Sequence, residues 1–251
     1  MSDALGPPDQ TPDLWVCHLG TIPYLQATAL QERIRALRQA GEVPDTLLLL
    51  EHPPVYTRGR RSREEELSRG ESFYRRAGIE VLRCDRGGKV TYHGPGQLVG
   101  YPIMRIENIH GYLRTMESAI VTALENVGIE ARSRCHEGPD YTGVWVEDRK
   151  IASIGVHVAR GIATHGFAVN VANDLEPFSW VIACGLPGTR MTSLAEELGD
   201  ERPGERDLSC FRERMAGSFA DAFARRTRLV SPLELGLEQS LAAAPPEAIA
   251  R

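Results

Sequence analysis

Between Gly143 and Val171 three strand-like runs, 143–147, 151–159 and 164–171, are separated by connections of only three and four residues. A parallel pair needs a crossover of about a dozen residues or more, so runs this close must pair antiparallel. Four further runs at 14–19, 46–51, 80–84 and 98–102 carry the same strand character. Seven strand candidates outnumber three long helical segments, which excludes a doubly wound sheet. The expected class is α+β: a mixed, largely antiparallel sheet with flanking helices.

The helical segments are periodic. Over 24–40, Leu30, Ile34 and Leu37 share a face, and Gly41 is placed to end the helix. Over 112–127, Leu113, Met116, Ile120, Leu124 and Val127 recur at intervals of three and four, with Gly128 next. Over 208–226, Phe211, Met215, Phe219 and Phe223 stand four apart behind the capping candidates Asp207 and Ser209. This third helix is expected to lie as a lid over one end of the fold. No repeat or linker divides the chain, so 14–235 is read as one domain. Residues 1–13 and the Ala/Pro-rich stretch 236–251 lack the apolar content to pack and are expected to be disordered.

Composition excludes more than it assigns. With 251 residues and 42% hydrophobic content, the chain buries a large core without staples. A net charge of −5 argues against a dedicated nucleic-acid binder. Five cysteines, an odd number with no CxxC pair, suit a reducing compartment. The acidic, Pro-rich start is no secretory signal, and no apolar run is long enough for a membrane span. A cytoplasmic protein is the expectation, with no metal, since neither HExxH nor a Cys/His ligand pair is present.

Three segments carry chemistry. Residues 86–97, RGGKVTYHGPGQ, gather four glycines, two cations and a histidine. Such glycines let backbone N–H groups approach a ligand, although a hairpin connection would use them for turn geometry alone. No phosphate-loop pattern is present. Along 149–157, strict alternation puts Lys150, Ala152, Ile154 and Val156 on one face and Ile151, Ser153, Gly155 and His157 on the other. A lysine there is ordinarily a snorkelling surface residue, and burial would make it a usable base. Cys184, followed by Gly185 and Pro187, sits in a turn. A nucleophilic role requires a nearby cation or base, for which Lys150, His93 and His157 are candidates. His52, ahead of Pro53-Pro54, either closes a strand or is aimed into a site.

Taken in order, EHPPVYTRGR (51–60), RGGKVTYHGPGQLVGYP (86–102), GVWV with RKIASIGVHV (143–158), THGFAVNV (164–171) and CGL with MTSL (184–194) resemble the octanoyltransferase family. The resemblance spans about 15–230. It implies the α+β fold of the lipoate and biotin protein ligases. It also implies transfer of an octanoyl group from octanoyl-acyl carrier protein to a lysine of a lipoyl domain, the first step of endogenous lipoate assembly. The acceptors would be lipoyl domains of 2-oxoacid dehydrogenase complexes and the glycine cleavage H protein. The enzyme would act as a monomer without a cofactor. On the family motif, Cys184 matches the acyl-thioester nucleophile and Lys150 the residue that promotes its ionisation. Arg86, Gly87, Gly88, Lys89, Val90, Thr91, Tyr92 and His93 match a substrate-binding segment, as do Ser153, Ile154 and Gly155, and Gly166, Phe167 and Ala168. His52 and His157 remain secondary candidates. One departure is Ala183, where relatives often carry Pro before the Cys.

Three rivals make different predictions. An ATP-dependent lipoate ligase on the same fold would not need Cys184. A non-catalytic lipoyl-domain-binding module would form no acyl-enzyme. A Cys hydrolase using His93 or His157 would release free octanoate. Residues 58–76 also hold seven Arg against four Glu, which is either a solvated face or a landing site for an acidic carrier protein.

Overall fold

A computed structural model describes residues 11–199 and 207–242. In chain order its elements are β1 (Asp13–Thr21), α1 (Tyr24–Ala40), β2 (Asp45–Glu51), β3 (Val55–Arg58), α2 (Glu71–Arg76), β4 (Glu80–Arg83), β5 (Val90–His93) and β6 (Gln97–Arg105). There follow α3 (Ile109–Glu125), β7 (Arg132–Ser133), β8 (Gly143–Val146), β9 (Arg149–Ala159), β10 (Ile162–Asn170), α4 (Leu194–Leu198), α5 (Leu208–Ala222), β11 (Arg226–Leu229) and α6 (Glu238–Ala242).

The strands form two sheets. Eight run in the order β11-β1-β2-β6-β10-β9-β8-β7, and three in the order β4-β3-β5. Only β1 pairs in parallel within the large sheet, with β11 and β2; the rest of the ladder is antiparallel. This is the expected mixed sheet. The small sheet is an addition to the sequence reading: Val55–Arg58 and Val90–His93 are short strands inside Pro- and Gly-rich surroundings that masked their character.

The large sheet is covered on both faces, which is why β2 reads as an unbroken apolar run. Leu47 and Leu49 face α3 and α5, packing with Met116, Ile120, Phe211 and Phe219. Leu48 and Leu50 face α1, with Leu30 and Ile34. The third predicted helix is therefore no lid. Phe211, Met215 and Phe219 are fully buried in the main core, and each such side chain contributes about 1.5–3 kcal/mol. It ends at Ala222 rather than 226, because Ala224 turns left-handed (φ 50°) and the chain enters β11. The second helix starts earlier than expected, at Ile109, because the Asn108 side chain accepts hydrogen bonds from the backbone N–H groups of His110 and Gly111.

The boundary at 235 also moves. Leu237 is fully buried, and α6 docks on α1 where Gln26 Nε2 donates to the carbonyls of Ser240 and Leu241. At the other end Asp13 belongs to β1. Residues 1–10 and 243–251 lie outside the described residues.

Between the sheets lies a seam of buried imidazoles. His52 follows β2, His93 ends β5 and His165 sits on β10, each at most 6% exposed. His52 Nδ1 donates to the Ile22 carbonyl (2.6 Å), so its Nε2 accepts from the Tyr101 hydroxyl (2.6 Å). His93 Nδ1 donates to Gln97 Oε1 (2.8 Å), whose Nε2 donates to Asn170 Oδ1 (2.9 Å). Burial disfavours the charged ring, lowering His52 to about 4 and His93 well below the ordinary histidine range. His165 Nε2 donates to Asp85 (2.7 Å), and that hydrogen bond holds the Asp85 carboxyl down at about 2.

These shifts set a sign for acid stability. Below the unfolded value of 6.5 the unfolded chain binds protons that neutral His52 and His93 refuse, so stability falls as pH drops from about 6.5 towards 4. Asp85 adds a further loss only below about 4. His52 alone should remove about 2 kcal/mol between pH 7 and pH 5. Thermal melts of wild type and His52→Gln across that range check this; parallel profiles would count against a neutral buried His52.

Candidate active site

A cavity of about 240 Å³ opens where the two sheets meet. The large sheet contributes Lys150, Ser153 and Gly155 from β9 and Gly166 and Ala168 from β10. The small-sheet side contributes the loop 86–89, Thr91, His93 and Cys184.

Lys150 reaches the cavity through a register irregularity. Val144 pairs with Ala152 but Trp145 pairs with Lys150, so Ile151 is an extra residue in β9. That bulge breaks the alternation assumed from sequence: Ile151 and Ala152 both enter the α3/α5 core, and Lys150 joins the face of Ser153 rather than that of Ala152. Its stem crosses Gly143, where a Cβ would lie 2.7 Å from Lys150 Cε and closer still to the Ala152 carbonyl. Only glycine allows this crossing, the more so at φ 135°. Glu117 on α3 accepts from the Gly143 N–H (2.9 Å) and fixes the strand start.

The ammonium is buried, at 1% residue exposure. It donates to the Thr142 carbonyl (3.0 Å) and lies 5.1 Å from the Trp145 ring centroid. The Lys150 backbone is zipped to the segment following the cysteine loop: its N–H donates to the Arg190 carbonyl (2.8 Å), and its carbonyl accepts from the Thr192 N–H (3.0 Å).

Cys184 arrives on a loop anchored to the small sheet. Tyr56 Oη donates to the Pro177 carbonyl (2.6 Å), Tyr74 Oη to Trp180 (3.0 Å), and the Ile182 N–H to Glu66 (3.0 Å), while Phe178 and Ala183 are buried there. Cys184 itself is left-handed (φ 55°, ψ 9°). That conformation costs a non-glycine residue about 1–2 kcal/mol. Its Sγ stands 3.6 Å from Ser153 Oγ. Gly185 is again left-handed (φ 70°), and any Cβ on it would collide with the Lys89 side chain, which folds directly over it. Lys89 Nζ is 3.3 Å from Asp140, which also pairs with Arg61 (3.1 Å).

The Gly-rich loop is held from both sides. The Gly87 N–H donates to the Val156 carbonyl (2.9 Å) on β9, and the Arg60 and Arg61 N–H groups donate to Arg86 (3.0 Å) and Gly88 (3.1 Å). Arg86 is itself a brace, its Nη2 donating to the Thr57 carbonyl (2.6 Å) and hydroxyl (2.7 Å).

Most residues expected at the site line the cavity: Cys184, Lys150, Arg86, Gly87, Gly88, Lys89, Thr91, His93, Ser153, Ile154, Gly155, Gly166, Phe167 and Ala168. Val90 and Tyr92 do not. They alternate with Lys89, Thr91 and His93 along β5 and point into the core of the small sheet with Tyr56 and Phe178. His52 is enclosed in the seam rather than aimed into the cavity, and His157 leans towards Asp85 (3.5 Å). Tyr24, Tyr101, Asp140 and His165 line the cavity and were not singled out from sequence. The left-handed backbone of His165 (φ 55°), which brings its ring to Tyr24, leaves no local mark in the chain. Among the described residues no group of His, Cys, Asp and Glu is arranged to hold a metal ion.

Comparison with known proteins identifies the fold and the family. The family model for the lipoyl protein ligase A/B catalytic domain matches residues 23–220. The octanoyltransferase of Rubrobacter xylanophilus is 50% identical over 202 residues, covering 77% of this chain and 90% of that protein. The octanoyltransferase of Caldicellulosiruptor saccharolyticus is 41% identical over 225 residues, covering 88% and 93%. Among solved structures, a lipoate-protein ligase A bound with ATP superposes with a TM-score of 0.73 at 21% identity, covering 91% of this chain and 94% of that one. The bipartite lipoate protein ligase of Thermoplasma acidophilum, described with its E2 lipoyl domain, gives 0.69 at 18% identity, covering 91% and 92%; both share the fold. By the extent of the family match and the identity to these relatives, the chain belongs to the octanoyltransferases of the lipoyl protein ligase A/B catalytic family.

Proposed function

We propose that the protein carries an octanoyl group from octanoyl-acyl carrier protein to a lysine of a lipoyl domain through a thioester on Cys184. The acceptors on this reading are lipoyl domains of 2-oxoacid dehydrogenase complexes and the glycine cleavage H protein, and the setting is the reducing cytoplasm. The observation that carries the reading is the meeting of Cys184 and a buried Lys150 in one cavity, with Cys184 on a left-handed turn beside Ser153.

The chemistry follows from the contacts. Lys150 is a buried cation held by a carbonyl and an aromatic face, so a thiolate at Cys184 supplies the countercharge it lacks. The thiolate attacks the octanoyl carbonyl carbon, and the pantetheine thiolate leaves with the proton. The acceptor amine then attacks the Cys184 thioester, the amide C–N bond forms, and the Cys184 sulfur leaves. On this reading Lys150 gives the proton to the leaving pantetheine sulfur and takes one back from the acceptor amine. The Gly185 N–H is committed to the Ile182 carbonyl (3.1 Å), so oxyanion donors must come from elsewhere in the cavity. An amide is downhill from a thioester, and no nucleotide is needed. No helix among the described residues is long and apolar enough to cross a membrane.

Intact mass after mixing with octanoyl-acyl carrier protein, without ATP, tests the reading. Wild type should gain one octanoyl group, Cys184→Ala none, and the group should pass to an added lipoyl domain. Modification that needs ATP and free octanoate would instead identify a ligase.

Lys150→Met should slow both acylation of Cys184 and release to the acceptor, each by roughly 10²-fold or more. Gly143→Ala should act through Lys150, because the added methyl displaces its stem; a shift of about 1 Å costs up to ~10²-fold. Rapid-quench acylation with both variants checks this, and full activity in Gly143→Ala would remove Lys150 positioning from the mechanism.

In the basic segment Arg58 and Arg61 are already paired, with Glu64 and Asp140, whereas Arg60 and Arg63 are exposed. Charge reversal of Arg60 and Arg63 should lower the acylation rate at low salt and flatten its salt dependence, leaving the lipoyl-transfer half unchanged. An unchanged salt profile would reduce this segment to a solvated face.

A further inference from the structure

The register of β9 and β10 provides a length scale for the cavity. Ser153, which touches Cys184 Sγ, pairs with Ala168; Gly155 pairs with Gly166; Val156 pairs with His165. From Ala168 to His165 is three residues, or about 10 Å of strand. Midway, Gly155 and Gly166 face each other without side chains, both lining the cavity. An octanoyl chain has seven C–C bonds from carbonyl to methyl, and zigzag bonds of ~1.5 Å give an extended length of about 9 Å.

What stands at that distance is a wall of rings. His165 takes φ 55°, and its ring lies with Tyr24 and Tyr101, at centroid distances of 6.4 and 6.1 Å. Phe167, two residues on, lines the cavity and packs with the α3/α5 core. The His165 ring is tied at both nitrogens, Nε2 donating to Asp85 (2.7 Å) and Nδ1 accepting from the Tyr24 hydroxyl (3.5 Å), and the His165 backbone N–H donates to Gln31 Oε1 (2.6 Å). Tyr101 is tied in turn to His52. A longer chain displaces a ring and strands a buried polar partner, whereas a shorter chain leaves apolar burial unused.

We propose that Tyr24, Tyr101 and His165 form the end wall of the acyl channel and fix its length at eight carbons. The proposal rests on Cys184 being the acyl carrier. Ile109 and Leu113, at the start of α3, also line the cavity and mark the competing direction for the tail.

The experiment compares wild type, His165→Ala, Tyr24→Leu, His165→Gln and Leu113→Ala with acyl-carrier thioesters of six to twelve carbons, reading acylation of Cys184 by intact mass. In parallel, calorimetry on the same set in a Cys184→Ala background reads affinity for the free C6–C12 acids. His165→Ala and Tyr24→Leu should raise the decanoyl-to-octanoyl ratio roughly tenfold or more. His165→Gln, which keeps a donor towards Asp85, should retain the wild-type preference. A ratio that moves only with Leu113→Ala, or with none of the variants, overturns the end wall. If His165→Ala does not fold by circular dichroism, Tyr24→Leu decides by the same criterion. If wild-type Cys184 takes no acyl group while the free-acid preference still lengthens in the end-wall variants, the wall stands and the thioester reading falls. A flat free-acid series overturns the wall regardless.

Discussion

The burial of the Lys150 ammonium is the constraint around which the site is arranged. An unpaired charge in a protein interior is costly, and here one carbonyl and one indole face are what it meets. Four features place it there. The extra residue at Ile151 turns the side chain to the cavity, Gly143 leaves room for the stem, Glu117 holds Gly143, and Arg190 and Thr192 grip the Lys150 backbone. The last of these matters most for chemistry, because 190–192 continue the loop that carries Cys184. Lysine and cysteine are 34 positions apart in sequence and are tied by two backbone hydrogen bonds, six and eight residues beyond the cysteine.

The cavity exists because two sheets meet without merging. The small sheet presents the Gly-rich loop and the cysteine loop; the large sheet presents Lys150, Ser153 and the paired glycines. Between them the polar seam is kept neutral by burial, with His52 and His93 both held below their ordinary range. Charged imidazoles there would draw water towards the cavity. Hydrogen bonding also makes the seam rigid: each ring nitrogen of His52 has a partner, and Gln97 and Asn170 carry the network across to Thr192.

Much of this was legible in the chain. Close-set runs between Gly143 and Val171 dictated antiparallel pairing, and motif resemblance picked out Cys184, Lys150 and three segments, two of them on strands, that meet at one cavity. The failures have physical causes. Strict alternation put Lys150 on the wrong face because a one-residue bulge is invisible to a period of two. Val90 and Tyr92 fell inside a motif but face away, because that stretch is a strand and the motif was read as a loop. The phenylalanines of α5 suggested a lid, yet the same spacing serves a helix packed against α3 within the core. Tyr24 and His165 are 141 positions apart, and only tertiary structure brings them together.

Charge at the entrance completes the division of labour. Asp140 bridges Arg61 and Lys89, drawing the 3₁₀ turn at Pro139–Tyr141 across the Gly-rich loop. Lys89 is thereby held against Gly185, next to Cys184 in the chain, with its charge largely offset by a carboxylate. Among the described residues Lys150 has no carboxylate partner of this kind. Of the two lysines that line the cavity with Cys184, Lys89 is paired with a carboxylate and Lys150 meets a carbonyl and an indole face. On the proposed route one thioester is exchanged for another, a step that needs little driving force and much positioning, and the fixed placement of the two lysines serves that need.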